Sequence, residues 1–226
     1  GLSYAGVPLE SLPEGPAYLC GLRQDVTDRS NVALQNAGDS GSGEITLRLS
    51  LFSGDPVAPT PTDLPDIVIP PGGFYQINEV LWSNGLSLAS GYVRVERVSG
   101  LAPYYAYAVI NNQLSSDGTF VAPVPEDPQT IPSRLMLPLE LAYHPRSISE
   151  WVFTNLSSSD TEVWISSLAL LHGMPEWETQ IWLKPGNQRI LRSVPGIEWV
   201  SVSPVVIDSD VRPSGLYVGV RVLGLE

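Results

Sequence analysis

The string Gly38-Asp39-Ser40-Gly41-Ser42 is the first place in this sequence where chemistry would be sought. A serine set among glycines beside an aspartate matches the nucleophile loop of trypsin-like proteases. Such a serine needs an imidazole within hydrogen-bond reach and a carboxylate that orients the imidazole. In those proteases the histidine precedes the serine. Here His144 and His172 both follow it, in turn-like strings of the second half, Tyr143-His144-Pro145-Arg146 and Leu171-His172-Gly173-Met174-Pro175. The string reads instead as glycine, aspartate and serine serving a turn.

Neither histidine has a second histidine or a cysteine at metal-ligand spacing, which argues against a transition metal. Carboxylates come in close pairs: Asp25 with Asp28, Asp39 with Glu44, Asp63 with Asp66, Glu126 with Asp127, Asp208 with Asp210. Oxygen-rich loops of this kind suit calcium. None follows the D-x-D-x-D-G pattern, and a solvated turn is the default for each. Asp208 and Asp210 are the candidate calcium ligands, and no other cofactor is expected. A glycosidase would need two opposed carboxylates across a cleft, whereas these acids sit in turns. Asn155-Leu156-Ser157 fits the glycosylation acceptor pattern, at a frequency chance would supply. With no Gly-rich phosphate loop either, the expectation is a chain that is not an enzyme.

Charge narrows the partners. There are 24 Asp+Glu against 12 Lys+Arg, a net charge of −12. Nucleic acid and anionic lipid surfaces are repelled. No apolar run approaches the ~18 residues that span a bilayer. The single cysteine, Cys20, rules out an internal disulfide framework, and its apolar setting, Tyr18-Leu19-Cys20-Gly21-Leu22, suits a buried small hydrophobe. The chain opens at Gly1 rather than Met, as a processed product or an excised piece would.

The elements that carry these residues read as strands. Glu44-Ile45-Thr46-Leu47-Arg48-Leu49-Ser50-Leu51 alternates strictly, so Ile45, Leu47, Leu49 and Leu51 share one face. Gly91–Val98 and Tyr104–Asn111 form a hairpin candidate, with Tyr105 and Tyr107 on one face and Ala106 and Ala108 on the other. Pro (21) and Gly (20) punctuate short segments, as turns in an all-β chain require.

A repeat organises the whole. Leu34-Gln35-Asn36, an alternating run through Phe52, then Ile69-Pro70-Pro71-Gly72-Gly73 and Gln76-Ile77, is echoed by Phe153-Thr154-Asn155, a run through Leu171, then Leu183-Lys184-Pro185-Gly186 and Arg189-Ile190. Each copy has about 100 residues, the size of a small domain. The expected architecture is all-β: an extended N-terminal arm at 1–16, a β-sandwich at 17–122, a Pro-rich linker at 123–133 and a second β-sandwich at 134–226. The arm carries Leu2, Tyr4, Val7, Leu9 and Leu12 among prolines and glycines, and such a segment stays ordered only on a surface of its own domain or a neighbour's. The second copy holds Trp151, Trp164, Trp182 and Trp199 on strands. Trp164 alternates with Val163 and Ile165 and so faces away from them.

Tyr18-Leu19-Cys20-Gly21-Leu22-Arg23-Gln24, Arg29 through Gly38, Ile69-Pro70-Pro71-Gly72-Gly73-Phe74-Tyr75-Gln76-Ile77-Asn78 and Gly91-Tyr92-Val93-Arg94-Val95 together resemble a module repeated in secreted and surface proteins of environmental bacteria, similar to immunoglobulin-like β-sandwiches. The second copy matches more loosely, with Gly186-Asn187 in place of the Gly-Gly. The resemblance implies tandem immunoglobulin-like domains, export to the cell surface or beyond, and a non-catalytic role. The leading expectation is a structural subunit of an extracellular filament or surface assembly that partners itself. Its Leu2–Leu12 arm would add to a neighbour, and Trp164, Trp177 and Trp182 would make contacts. The alternative is a glycan- or protein-binding accessory module, with surface aromatics such as Trp82, Trp177 or Trp182 as its platform.

Overall fold

The computed structural model describes residues 6–54, 61–126, 134–137, 147–167, 178–191, 205–209 and 215–224. The chain divides into two compact units, Gly1–Glu126 and Asp127–Glu226. Both are built from antiparallel strands, and the fold is all-β.

The first unit contains β1 (Ala17–Arg23), β2 (Asp28–Asn36), β3 (Ile45–Ser53), β4 (Thr62–Asp63), β5 (Ile67–Ile69), β6 (Phe74–Ile77), β7 (Ser90–Ser99), β8 (Tyr104–Asn112), β9 (Gly118–Val121) and β10 (Val124–Pro125). One sheet runs β10-β1-β7-β3-β4, with β5 also paired to β3, and the other runs β6-β2-β8-β9. A single core lies between them. Leu19, Leu47, Leu49, Val93 and Val95 enter it from the first sheet, and Val32, Leu34, Ala106, Ala108 and Ile110 from the second. The alternation in β3 accounts for its share: Ile45, Leu47, Leu49 and Leu51 are buried, each worth about 1.5–3 kcal/mol of apolar transfer, while Arg48 is exposed. Two short 3-10 segments, Leu9–Ser11 and Val80–Gly85, are the helical content of the described residues.

The start of the expected linker joins a sheet, as does the short β4. Thr62 and Asp63 pair with Leu51 and Ser50, and Val124 and Pro125 pair with Tyr18 and Ala17. Glu126 then closes the unit. Its carboxylate accepts hydrogen bonds from Arg94 Nε at 2.7 Å and the Tyr18 hydroxyl at 2.8 Å. The Arg94 guanidinium, and secondarily that hydroxyl, hold the Glu126 carboxyl below its ordinary range against a burial effect that would raise it.

The second unit contains β11 (Arg134–Leu137), β12 (Ser147–Asn155), β13 (Thr161–Ser167), β14 (Glu178–Leu183), β15 (Gln188–Leu191), β16 (Val205–Ser209) and β17 (Leu216–Gly224). Its sheets run β11-β16-β13-β14 and β15-β12-β17. Trp151, Phe153, Val163, Ile165, Ile181 and Leu183 are buried.

One local device occurs in both units. Asn36 ends β2 and is fully buried. Its Nδ2 donates to the carbonyls of Ile69 (3.0 Å) and Gly43 (3.1 Å), and its Oδ1 accepts from the Gly38 amide (2.9 Å). Asn155 ends β12 in the same way. Its Nδ2 donates to the carbonyls of Leu183 (2.9 Å) and Ser159 (2.8 Å), and its Oδ1 accepts from the Ser157 amide (2.9 Å). The turns that follow Ile69 and Leu183 both place glycine in the left-handed region, Gly72 at φ 66° and Gly186 at φ 75°, where a side chain would be strained. An amide is the one small side chain that donates twice and accepts once at such a junction.

Candidate functional site

Alternation on β8 decides where the site lies. Tyr104, Ala106 and Ala108 point into the core and are buried, which sends Tyr105 and Tyr107 to the outer face. Register places Gln35 of β2 beside Tyr105, and Phe120 of β9 beside Val109, the next outward residue along β8. The Tyr105 and Tyr107 rings lie 5.8 Å apart, and those of Tyr107 and Phe120 5.5 Å apart. An aromatic stripe therefore crosses the outside of this sheet.

The arm lies against the stripe. Val7, Leu9 and Leu12 line one side of a groove of about 420 Å³ whose remaining walls include Gln35, Gly72, Tyr105, Tyr107 and Phe120. The root of the arm is pinned: the buried Tyr104 hydroxyl donates to the Gly15 carbonyl at 2.8 Å, and the Glu126 amide donates to the Pro16 carbonyl at 2.9 Å. Beyond that root the hold is slight. No residue from Gly6 to Gly15 belongs to a strand, and Leu9, in its 3-10 turn, stays 63% exposed and Val7 42%. The described part of the arm covers one flank of the groove.

The groove is apolar with a polar fringe. Burial, and then the neighbouring Tyr107, push the Tyr105 phenol above its usual range, so it stays a neutral hydroxyl at physiological pH. Asn36 reaches the groove wall, but both ends of its amide are engaged with backbone. Among the described residues the lining contains no carboxylate and no imidazole. It suits an apolar or aromatic segment.

The Gly38–Ser42 string lies beside this groove as a closed turn. Asp39 accepts hydrogen bonds from the Gly41 amide (3.0 Å) and the Ser42 hydroxyl (2.6 Å), which lower its carboxyl's pKa. A Cβ at Gly38 would come within 2.6 Å of Ala102 and 2.7 Å of Ser42, so close packing requires glycine there. No protein-family model matches the chain, and no curated protein is significantly similar to it.

The other candidates distribute as follows. Leu2, Tyr4, Trp177, Asp210, His144 and His172 lie outside the described residues. Asp208 falls on β16, in register with Arg134 and Trp164. Among the described residues no three His, Cys, Asp or Glu side chains gather as a metal site. Trp82 sits partly exposed in the Val80–Gly85 segment. Trp164 is half-buried on the outer face of β13, and Trp182 stands on the outer face of β14, 64% exposed. Sequence reasoning missed Gln35 and Phe120 in the groove, since their approach to Tyr105 and Tyr107 depends on pairings that no local pattern encodes. It also missed Glu162 and Gln180, hydrogen-bonded to each other between Trp164 and Trp182.

Proposed function

We propose that this chain is a non-catalytic structural subunit of an extracellular filament or surface assembly. On this view its two units are copies of one immunoglobulin-like β-sandwich, and exchange of the N-terminal arm joins neighbouring subunits. The observation that supports it is the groove between the Val7–Leu12 arm and the Tyr105–Tyr107–Phe120 stripe. The arm has a docking surface yet gains little from it. Full burial of Val or Leu is worth about 1.5–3 kcal/mol, and most of that is forgone at Leu9 and much at Val7. Ordering a residue costs about 1–2 kcal/mol of backbone entropy. A segment so weakly held to its own domain can dock on an identical domain at little net cost, and trading identical elements is a low-cost route to oligomers. The recurrent asparagine junctions at Asn36 and Asn155 support the view of two copies.

Removal of residues 1–12 tests the proposal while keeping the Gly15 and Pro16 anchors. Light scattering across a concentration series is expected to give association for the full chain and monomers for the shortened one. Equal masses at every concentration would defeat arm exchange. A second reading, a binding module, is favoured by the outward tryptophans of the second unit.

A further inference from the structure

We propose that the outer face of β13 and β14 binds a neutral polysaccharide, stacked on Trp164 and Trp182 and hydrogen-bonded by Glu162 and Gln180. The inner face of these strands is already supplied: Val163, Ile165, Ile181 and Leu183 are buried. The fold has no need of two further indole rings outside, and Trp182 leaves most of its surface in water. Large exposed aromatics grouped on a face mark contact sites.

Register gives the group its pattern. Glu162 pairs with Trp182, and Trp164 with Gln180, so all four project from the same face of the sheet. The tryptophans take one diagonal and the polar residues the other, with diagonal neighbours about 7–8 Å apart. Gln180 Nε2 donates to Glu162 Oε1, which orients both side chains. A pyranose ring has an apolar C–H face and a rim of hydroxyls. Indole stacks on the first, and a carboxylate with a carboxamide supplies acceptors and donors for the second.

Other occupants fit worse. The core of a protein interface is depleted of charge, whereas here a carboxylate–amide pair lies between the rings. Nucleic-acid bases would stack, but their phosphates meet Glu162 on a chain of net charge −12. The same repulsion excludes anionic polysaccharides and leaves a neutral one. Among the described strands β14 is the edge of its sheet. This site is independent of the arm, which belongs to the first unit.

The test is electrophoresis of the full chain in native gels containing hydroxyethylcellulose, arabinoxylan, galactomannan or laminarin, followed by calorimetric titration with the polysaccharide that retards it. Retardation by at least one is expected. Trp182→Ala and Trp164→Ala should each weaken binding about tenfold or more, as loss of a contact anchor does, with the near-UV spectrum still that of a folded chain. Glu162→Gln and Gln180→Ala should weaken it several-fold, and removal of residues 1–12 should leave it unchanged. Migration unaltered by all four polymers, or retardation that survives both tryptophan variants, would overturn the proposal. So would a drop in oligomer mass in Trp182→Ala without any glycan binding, which would assign the face to contacts between copies.

Discussion

Replacing Asn36 by alanine isolates the junction that fixes the end of β2 and one wall of the arm groove. Three hydrogen bonds are lost, to Ile69, Gly43 and Gly38. At about 1 kcal/mol net for each bond, the loss begins near 3 kcal/mol. Gly43 is exposed, so water can replace the amide at its carbonyl. Ile69 is buried, and its carbonyl stays without that partner, a penalty of about 1–3 kcal/mol that sets the upper end. The two bonds that water does not replace and this penalty together give an expected destabilisation of about 3–5 kcal/mol, a large share of the ~5–15 kcal/mol that holds a typical domain. Urea unfolding followed by far-UV circular dichroism measures it. Tryptophan emission is a poor reporter here, because Trp82 is the one tryptophan of the first unit while five lie in the second. Asn155→Ala makes the matching perturbation in the second unit, where emission is the better probe. A loss below about 1 kcal/mol in Asn36→Ala would show that water or backbone rearrangement replaces the side chain, and the account of the junction would fail.

Three further outcomes are expected. Because Arg94 and Tyr18 hold the folded Glu126 carboxyl below its ordinary value, its contribution is full above the unfolded pKa near 4.5 and disappears as pH falls through the folded value. The stability gap between wild type and Glu126→Gln should therefore be about 0.5–1 kcal/mol at pH 7, modest because the pair is partly exposed, and should close in thermal melts as the pH falls below that lowered folded value. Gly100→Ala should lower stability by about 2 kcal/mol or more in the same melts, since Gly100 has φ 83° and a Cβ there would meet the Glu44 carbonyl oxygen. Cys20 is buried and should react with a thiol reagent at the rate of unfolding, so immediate labelling of the native chain would contradict its placement.

Much of the fold was legible because burial on one face imposes a period of two. The β3 alternation places four residues in the core, and Tyr105 and Tyr107 were separable from Ala106 and Ala108 without a structure. The echo of Leu34-Gln35-Asn36 in Phe153-Thr154-Asn155 pointed to matching positions, which carry matching hydrogen bonds. Tyr92 shows where the pattern fails. It alternates with the inward Val93 yet is buried on the outer face, stacked on Phe52 at 4.6 Å. Such burial depends on which side chains from neighbouring strands cover a position. The groove was illegible for the same reason: hydrophobicity marked Val7, Leu9 and Leu12 as needing a surface, but Phe120 and Gln35 reach it through strand pairings. Glu162 and Gln180 were likewise two unremarkable polar residues until register set them between tryptophans.

The central proposal, that the arm of one chain occupies the groove of another, is tested most directly by complementation. One chain lacks residues 1–12 and keeps its groove. The other keeps its arm and carries Tyr107→Asp, which places a charge in the apolar groove. Sedimentation velocity should find each alone as a monomer and their mixture as a one-to-one complex, because one supplies the arm and the other the groove. A mixture that stays monomeric, or variants that still assemble singly as the unaltered chain does, would contradict arm exchange.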